Sequence, residues 1–312
     1  MSAAITYIKS QGYAGAKPQL SVLIPYFKDD PAPLLSALLS QQTGGASVEI
    51  LLYDDGTGDA AINEKTAAII KQSPAPAQLL IAAQNKGRSA ARNELKNNAR
   101  ADWVLFLDAD MRPVTEQFLG DYVKAIQKGS ADIIFGGFTV PKEAESADQE
   151  LHRALSEVSD CLSLEARRAA GPQFVASSNL CVRKSVLDAE GFDDGFVGWG
   201  WEDSEWAARV AKRFTLIHAD IPALHLGLET TETLLRRFKT SGPNYVRFTQ
   251  KHPELAPTLN LYQVSHKLRK VPGQKLMRPA LAAIVKRNML PTKLRLAALK
   301  LWRASWYAEA FS

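Results

Sequence analysis

Cysteine is nearly absent from this chain: Cys161 and Cys181 are the only two in 312 residues. Two thiols cannot frame a disulfide-stapled domain of this size, and they suit a reducing compartment. Long apolar runs are missing as well, and no stretch approaches the roughly 20 apolar residues that a membrane-spanning helix requires. The segment from Met1 to Pro18 has no apolar core of the secretory kind. The expected location is therefore cytoplasmic. No recognised nucleic-acid motif is present, so no nucleic-acid partner is expected.

Acidic residues are scarce at one end. From Val264 onward the chain has eleven Lys or Arg against Glu309 alone, a net +10. The whole chain carries +5, so the part before Val264 carries −5. The basic character belongs to the tail, and the split marks a boundary. A 46% hydrophobic content suffices for one large domain plus an appendage.

The body alternates short apolar runs with amphipathic stretches. Strands are predicted at 20–25, 48–53, 78–82 and 103–107, and helices at 34–40, 60–71 and 89–97. Pro31 and Pro33 are tolerated in the opening turn of the first helix. Such alternation predicts an α/β domain with a mostly parallel central sheet. Ligands of such sheets bind at the carboxyl ends of the strands.

Polar residues collect at those ends: Tyr26-Phe27-Lys28-Asp29, Asp54-Asp55-Gly56, Asn85-Lys86-Gly87-Arg88 and Asp108-Ala109-Asp110. In an extended segment residues i and i+2 face the same side, so Asp108 and Asp110 can address one ligand. Two like charges at the mouth of an apolar strand call for a cation or hydrogen bonds. A divalent metal carrying a phosphate-bearing substrate meets that need. Lys86 and Arg88 can neutralise a diphosphate. A solvated loop is the plainer reading of each element singly; four in succession argue against it.

Farther on, Gly195-Phe196-Val197-Gly198-Trp199-Gly200-Trp201-Glu202-Asp203-Ser204-Glu205 sets flat apolar rings beside carboxylates. Trp faces suit stacking on a sugar ring, and glycine permits close backbone approach. A carboxylate there can take the proton of an attacking hydroxyl. The same acids also suit a helix N-terminus ahead of Trp206-Ala207-Ala208, and the two readings are compatible.

Six motifs in order resemble family 2 glycosyltransferases of the GT-A (Rossmann-like) fold, over roughly Leu20 to Leu226. They are Ser21-Val22-Leu23-Ile24-Pro25-Tyr26-Phe27, Asp54-Asp55-Gly56-Thr57-Gly58-Asp59, Asn85-Lys86-Gly87-Arg88-Ser89-Ala90-Ala91-Arg92-Asn93, Asp108-Ala109-Asp110, Ser178-Asn179-Leu180 with Gly191-Phe192-Asp193, and Gly198-Trp199-Gly200-Trp201-Glu202-Asp203. The last is similar to a signature of galactosyltransferases and chondroitin-polymerase-like enzymes. The resemblance implies a single catalytic domain over 19–228, after a tail of 1–18 and before a helical, basic extension of 229–312. It implies a UDP-sugar donor and transfer to a hydroxyl of a saccharide or lipid-linked glycan, in polysaccharide or glycoconjugate synthesis.

Site residues follow from the same resemblance. Asp54 or Asp55 would hold the uracil, lined by Pro25, Tyr26 and Phe27. Lys86 and Arg88 would lie by the ribose and diphosphate, with Asp108 and Ala109 against the donor. Asp108 would touch ribose or metal, and Asp110 and His225 would ligate Mn²⁺ or Mg²⁺, while His218 is read as structural. A mixed N/O site suits Mn²⁺ somewhat better. Asn179, Trp199, Trp201 and Glu202 would address the acceptor, and Asp203 would be the base of an inverting transfer. The Gln-x-x-Arg-Trp element of processive synthases is lacking, so one sugar per encounter is expected.

In the tail, helices are predicted at 231–239 and 244–251, with Arg236, Arg237 and Lys239 as a lid over the diphosphate or a solvated face. Leu294, Leu296, Leu299, Leu301, Trp302, Trp306 and Tyr307 interleave with Lys293, Arg295, Lys300 and Arg303. That pattern fits an anionic membrane surface, reached peripherally through 264–312, or a helical cap packed on the body. Rival readings are a nucleotidyltransferase acting on sugar phosphates and a non-catalytic binder of nucleic acid or anionic surfaces. The first would place a glycine-rich basic loop where Pro25-Tyr26-Phe27 stands.

Overall fold

The computed structural model describes residues 5–311. Runs of Val, Ile and Leu form the strands β1 (Ile5–Lys9), β2 (Leu20–Tyr26), β3 (Val48–Asp54), β4 (Ala77–Ala82), β5 (Trp103–Leu107), β6 (Met111–Pro113), β7 (Ile133–Phe135), β8 (Phe138–Thr139), β9 (Asn179–Arg183), β10 (Leu216–His218) and β11 (Ala223–His225). The helices of the body are α1 (Ala32–Leu39), α2 (Ala60–Gln72), α3 (Arg88–Asn98), α4 (Phe118–Gln127), α5 (Glu150–Ser159), α6 (Leu164–Ala170), α7 (Lys184–Ala189) and α8 (Glu202–Val210). Those of the C-terminal region are α9 (Thr231–Thr240), α10 (Gly242–Lys251), α11 (Asn260–Arg269), α12 (Arg278–Lys286) and α13 (Thr292–Ala310).

Eight strands form the main sheet in the order β1-β4-β3-β2-β5-β9-β7-β10. The block β4-β3-β2-β5 is parallel as expected. Chain order reverses between β2 and β5, which creates the switch point where ligands bind in such sheets. β9 runs antiparallel between β5 and β7, with Leu107 opposite Asn179. The start of β9 therefore lies at the same edge as the carboxyl ends of β2, β3 and β5. β1 lies within the segment set apart as an N-terminal tail, yet it pairs with β4 along the sheet edge.

Side-chain alternation divides the core between the two faces of the sheet. Val22 and Ile24 pack with Leu35, Ile70 and Leu119 on one face. Leu23 and Leu51 pack with Leu95, Val186 and Trp206 on the other. A second sheet, β6-β11-β8, stands beyond the end of β5. Its antiparallel pairing sets His225 opposite Met111, one residue after Asp110.

The C-terminal helices pack on the body. On α13, Leu299 and Trp302 bury against Leu151 and Leu155 of α5, Leu234 and Phe238 of α9 and Val285 of α12. Tyr307 joins Tyr245 and Phe248 of α10. Arg295 is buried and donates to the Val285 carbonyl (2.9 Å) and the Thr231 hydroxyl (3.2 Å). The apolar face read as membrane-facing or body-packed is thus largely occupied by protein. Large apolar side chains do remain outside it, Leu276 at 84% and Met289 at 99% exposure. No helix among the described residues is long and apolar enough to cross a membrane.

Candidate active site

Turns after β2, β3 and β4 are tied to one another by carboxylates. Asp54 accepts from the Thr57 amide (2.8 Å) and the Asn63 side chain (2.7 Å), and Tyr26 donates to Asn63 (2.6 Å). Asp55 accepts from the amides of Lys86 (2.8 Å) and Gly87 (2.9 Å), which positions the start of α3. Burial raises the Asp55 pKa, with those two amides opposing. Pro25, Tyr26, Phe27, Asp55 and Lys86 line a cavity of about 950 Å³, while Asp54 stands behind Asp55 as a brace of the turn.

At the end of β5 the two acids of Asp108-Ala109-Asp110 part company. Asp108 accepts from Arg88 (3.3 Å) and Arg92 (3.2 Å). With both oxygens facing guanidinium groups, it is an arginine anchor at the wall of the same cavity. Burial works to lower the Arg88 pKa, but Glu202 first, then Asp108 and Asp203, raise it well above its usual value. Arg92, 1% exposed, also reaches Glu202 (3.5 Å) and Asp203 (3.6 Å).

Asp110 instead meets His225, with Oδ2 to Nε2 at 3.3 Å. Its Oδ1 is buried without a hydrogen-bond partner, which leaves lone pairs for a cation. Gly227 completes the cradle, since a Cβ there would sit 1.9 Å from Asp110 Oδ2. One carboxylate and one imidazole fit Mn²⁺ or Mg²⁺ as part of a coordination shell. Among the described residues no group of three or more potential ligands occurs, so diphosphate oxygens or water would supply the rest. His152 packs beside His225, ring centres 6.1 Å apart, and burial lowers its pKa to about 4. His218 lies away from the cavity, against Phe135 at 5.7 Å.

The opposite wall comes from the loop before α8. Asp203 lines the cavity, and its carboxylate accepts from the Ser177 amide (3.1 Å) and hydroxyl (2.8 Å). Trp199 also lines it, and its loop is held by Asn244, which donates to the carbonyls of Val197 and Gly200, both at 3.0 Å.

Three residues expected at the acceptor are placed elsewhere. Trp201 takes a left-handed φ of 77°, packs against Tyr245 (4.4 Å) and Phe248 (5.2 Å), and donates to Tyr307 (3.2 Å). Glu202 is buried against Arg88 at 2.8 Å. Asn179 donates to the Gly137 (2.7 Å) and Ile221 (2.8 Å) carbonyls and accepts from Tyr122 (2.8 Å), which clamps β9 to its neighbours. Each is a structural brace, because its polar atoms are already engaged inside the protein.

Residues 21–189 match the profile of glycosyl transferase family 2. The chain belongs to that family. No curated protein matches it in sequence. Its fold is similar to that of a mannosyltransferase from Pyrobaculum calidifontis, solved with GDP-Man and Mn²⁺, at a TM-score of 0.56 and 15% identity over 94% of this chain and 88% of that one. It is also similar to residues 1–349 of S. aureus TarS in complex with UDP, at 0.52 and 15% identity over 94% and 90%.

The family match covers the turns after β2, β3, β4 and β5 and strand β9. Asp203, Trp199, His225 and α9–α13 lie beyond it. The sequence reading assigned no role to Arg92, although Arg92 stands four residues after Arg88, on the same helix face. No sequence motif marks Ser177 or Asp160, and Arg303 belongs by sequence to the basic tail. Nothing local distinguishes these three; only the fold brings Asp160 and Arg303 to the cavity and Ser177 to the Asp203 carboxylate.

Proposed function

We propose that this family 2 glycosyltransferase moves one sugar from a UDP-sugar to a hydroxyl of a saccharide or lipid-linked glycan, with inversion and with divalent metal. The observation that carries this reading is one cavity lined by both the Asp110–His225 pair and the Ser177-held Asp203. Asp110 and His225 would hold the ion, whose positive charge stabilises the departing diphosphate.

The protein's own groups do the rest. Asp55 and Tyr26 border the base and ribose, and Lys86 and Arg88 lie toward the diphosphate. Asp203 accepts the proton of the acceptor hydroxyl while that oxygen bonds to the anomeric carbon from the face opposite the leaving UDP. Two hydrogen bonds from Ser177, one to each carboxylate oxygen, fix the orientation of Asp203 at the cavity wall and leave its remaining lone pairs for the proton. Trp199 offers its ring to the acceptor sugar. A cytoplasmic chain held peripherally on anionic lipid fits a lipid-linked acceptor, and the exposed Leu276 and Met289, flanked by Lys275 and Arg287, support that placement. Family membership leaves the nucleotidyltransferase and non-catalytic readings without support.

Calorimetric titration with UDP and with GDP, each with and without Mn²⁺, tests the donor half. UDP binding that requires Mn²⁺ and disappears in Asp110→Ala is the expected result. Preference for GDP would correct the nucleotide, and metal-independent binding would remove the metal.

A further inference from the structure

Arg303 stands apart among the arginines of the cavity. Arg88 is paired with Glu202 and Asp108, Arg92 with Asp108, and Arg237 with Glu229. Arg303 lines the same cavity from α13, yet no hydrogen bond or ion pair joins it to another described residue, and its Nε is buried without a partner. Asp160, at the end of α5, lines the cavity too; no ion pair joins it to Arg303, although the guanidinium charge works to lower its pKa against the larger, raising effect of burial.

Aromatic rings hold this guanidinium in place. Its carbon is 4.4 Å from the ring centre of Phe238, 5.1 Å from Tyr307 and 5.5 Å from Trp201. Cation–π contacts fix an arginine without consuming its N–H donors, so the donors remain free for a ligand. The same rings locate it on the acceptor side: Trp201 immediately precedes Glu202 and Asp203 on α8, and Phe238 packs on Trp199 at 5.6 Å. A planar, immobilised, unpaired guanidinium matches a carboxylate or phosphate, which it can grip with two parallel hydrogen bonds.

We propose that Arg303 anchors an anionic group, a carboxylate or a phosphate ester, on the acceptor sugar. This rests on the donor and acceptor assignment above and adds the charge of the acceptor to it. Because α13 lies outside the 21–189 match, the anchor is a specificity element contributed by the C-terminal region. It also gives that region a role at the site that a purely structural cap would lack.

The test uses the full chain saturated with UDP and Mn²⁺, titrated with p-nitrophenyl β-glucoside, the corresponding β-glucuronide and the β-glucoside 6-phosphate. At least one charged probe should bind about tenfold more tightly than the neutral one, the worth of a charge-assisted hydrogen bond. Which of the two prevails separates carboxylate from phosphate. Arg303→Met should erase the preference with UDP affinity unchanged, and Arg303→Lys should keep part of it. If Arg303→Met loses UDP binding through misfolding, Arg303→Gln carries the comparison. Equal affinity for all three probes, no binding of either charged probe, or a preference that survives in the folded variant would overturn the proposal. Failure of the wild-type chain to bind UDP would strike the donor reading instead, and that is seen before any acceptor probe is added.

Discussion

The cavity wall proposed for the donor comes from the carboxyl ends of β2, β3 and β5 and the turns after them, whereas the wall proposed for the acceptor is assembled from α5, the 195–203 loop, α9 and α13. On the donor side, Asp54 and Asp55 are bonded within a few residues of chain or to the next turn. On the acceptor side, the loop is held by distant elements: Ser177 on Asp203, Asn244 on the carbonyls of Val197 and Gly200, Tyr307 on Trp201. The first wall is local turn chemistry repeated along a sheet, and the second is tertiary packing. The buried Arg92, reaching Asp108 on one side and Asp203 on the other, links the two.

The contrast can be broken most sharply at Asp203. Asp203→Asn should lower transfer by about a hundredfold or more, the usual worth of a general base, with UDP affinity nearly intact; loss of UDP binding would place Asp203 on the donor wall. Glu202→Gln should act on stability, since it leaves Arg88 and Arg92 short of a buried partner. A loss of about 3 kcal/mol in denaturant unfolding is expected, and an unchanged midpoint would return Glu202 to the acceptor.

The two tryptophans sharpen the distinction further. Trp201→Ala should cost about 2–3 kcal/mol through lost packing, whereas Trp199→Ala should raise the acceptor KM at nearly unchanged stability. The reverse pattern would exchange their roles.

A smaller effect concerns Asp193, which anchors the loop to α10 through Arg247 (2.9 Å) and Lys251 (2.6 Å). Burial works to raise its pKa, but Lys251, the Gly195 amide and Arg247 hold it well below the usual carboxylate range. The depressed folded value means its contribution is present above the unfolded pKa of about 3.9 and fades as pH falls toward the folded value. Asp193→Asn should therefore flatten the acid limb of stability below about pH 4, read by thermal unfolding across pH. The smallest effect is expected at Leu276 and Met289. Changing both to Asp should reduce sedimentation with phosphatidylserine vesicles several-fold, and equal pelleting would remove membrane attachment through these tips.

Much of the donor wall was legible in the sequence, because short strands ending in Asp-rich turns carry their chemistry within a few residues. Asp55, Lys86, Arg88, Asp110 and His225 all reach the cavity. The acceptor side was legible only in part. Asp203 and Trp199 line the cavity, but Glu202 and Trp201 do not: adjacent residues at the start of a helix diverge by about 100°, and the left-handed φ of 77° at Trp201 sits where the loop turns into α8. Asn179 shows the same limit: its position at the edge was readable from the motif, its complete internal hydrogen bonding was not.

By itself the sequence determined the alternation that makes the sheet, the acids at its carboxyl edge and the concentration of positive charge in the last fifty residues, because each depends on residue type and spacing along the chain. Tertiary structure alone decided which of two adjacent carboxylates lines the cavity and which is buried against arginine. It also decided that α13 closes the cavity and brings Arg303 to it. Those outcomes depend on contacts between residues as far apart as Trp201 and Tyr307, and no local pattern encodes a contact of that range.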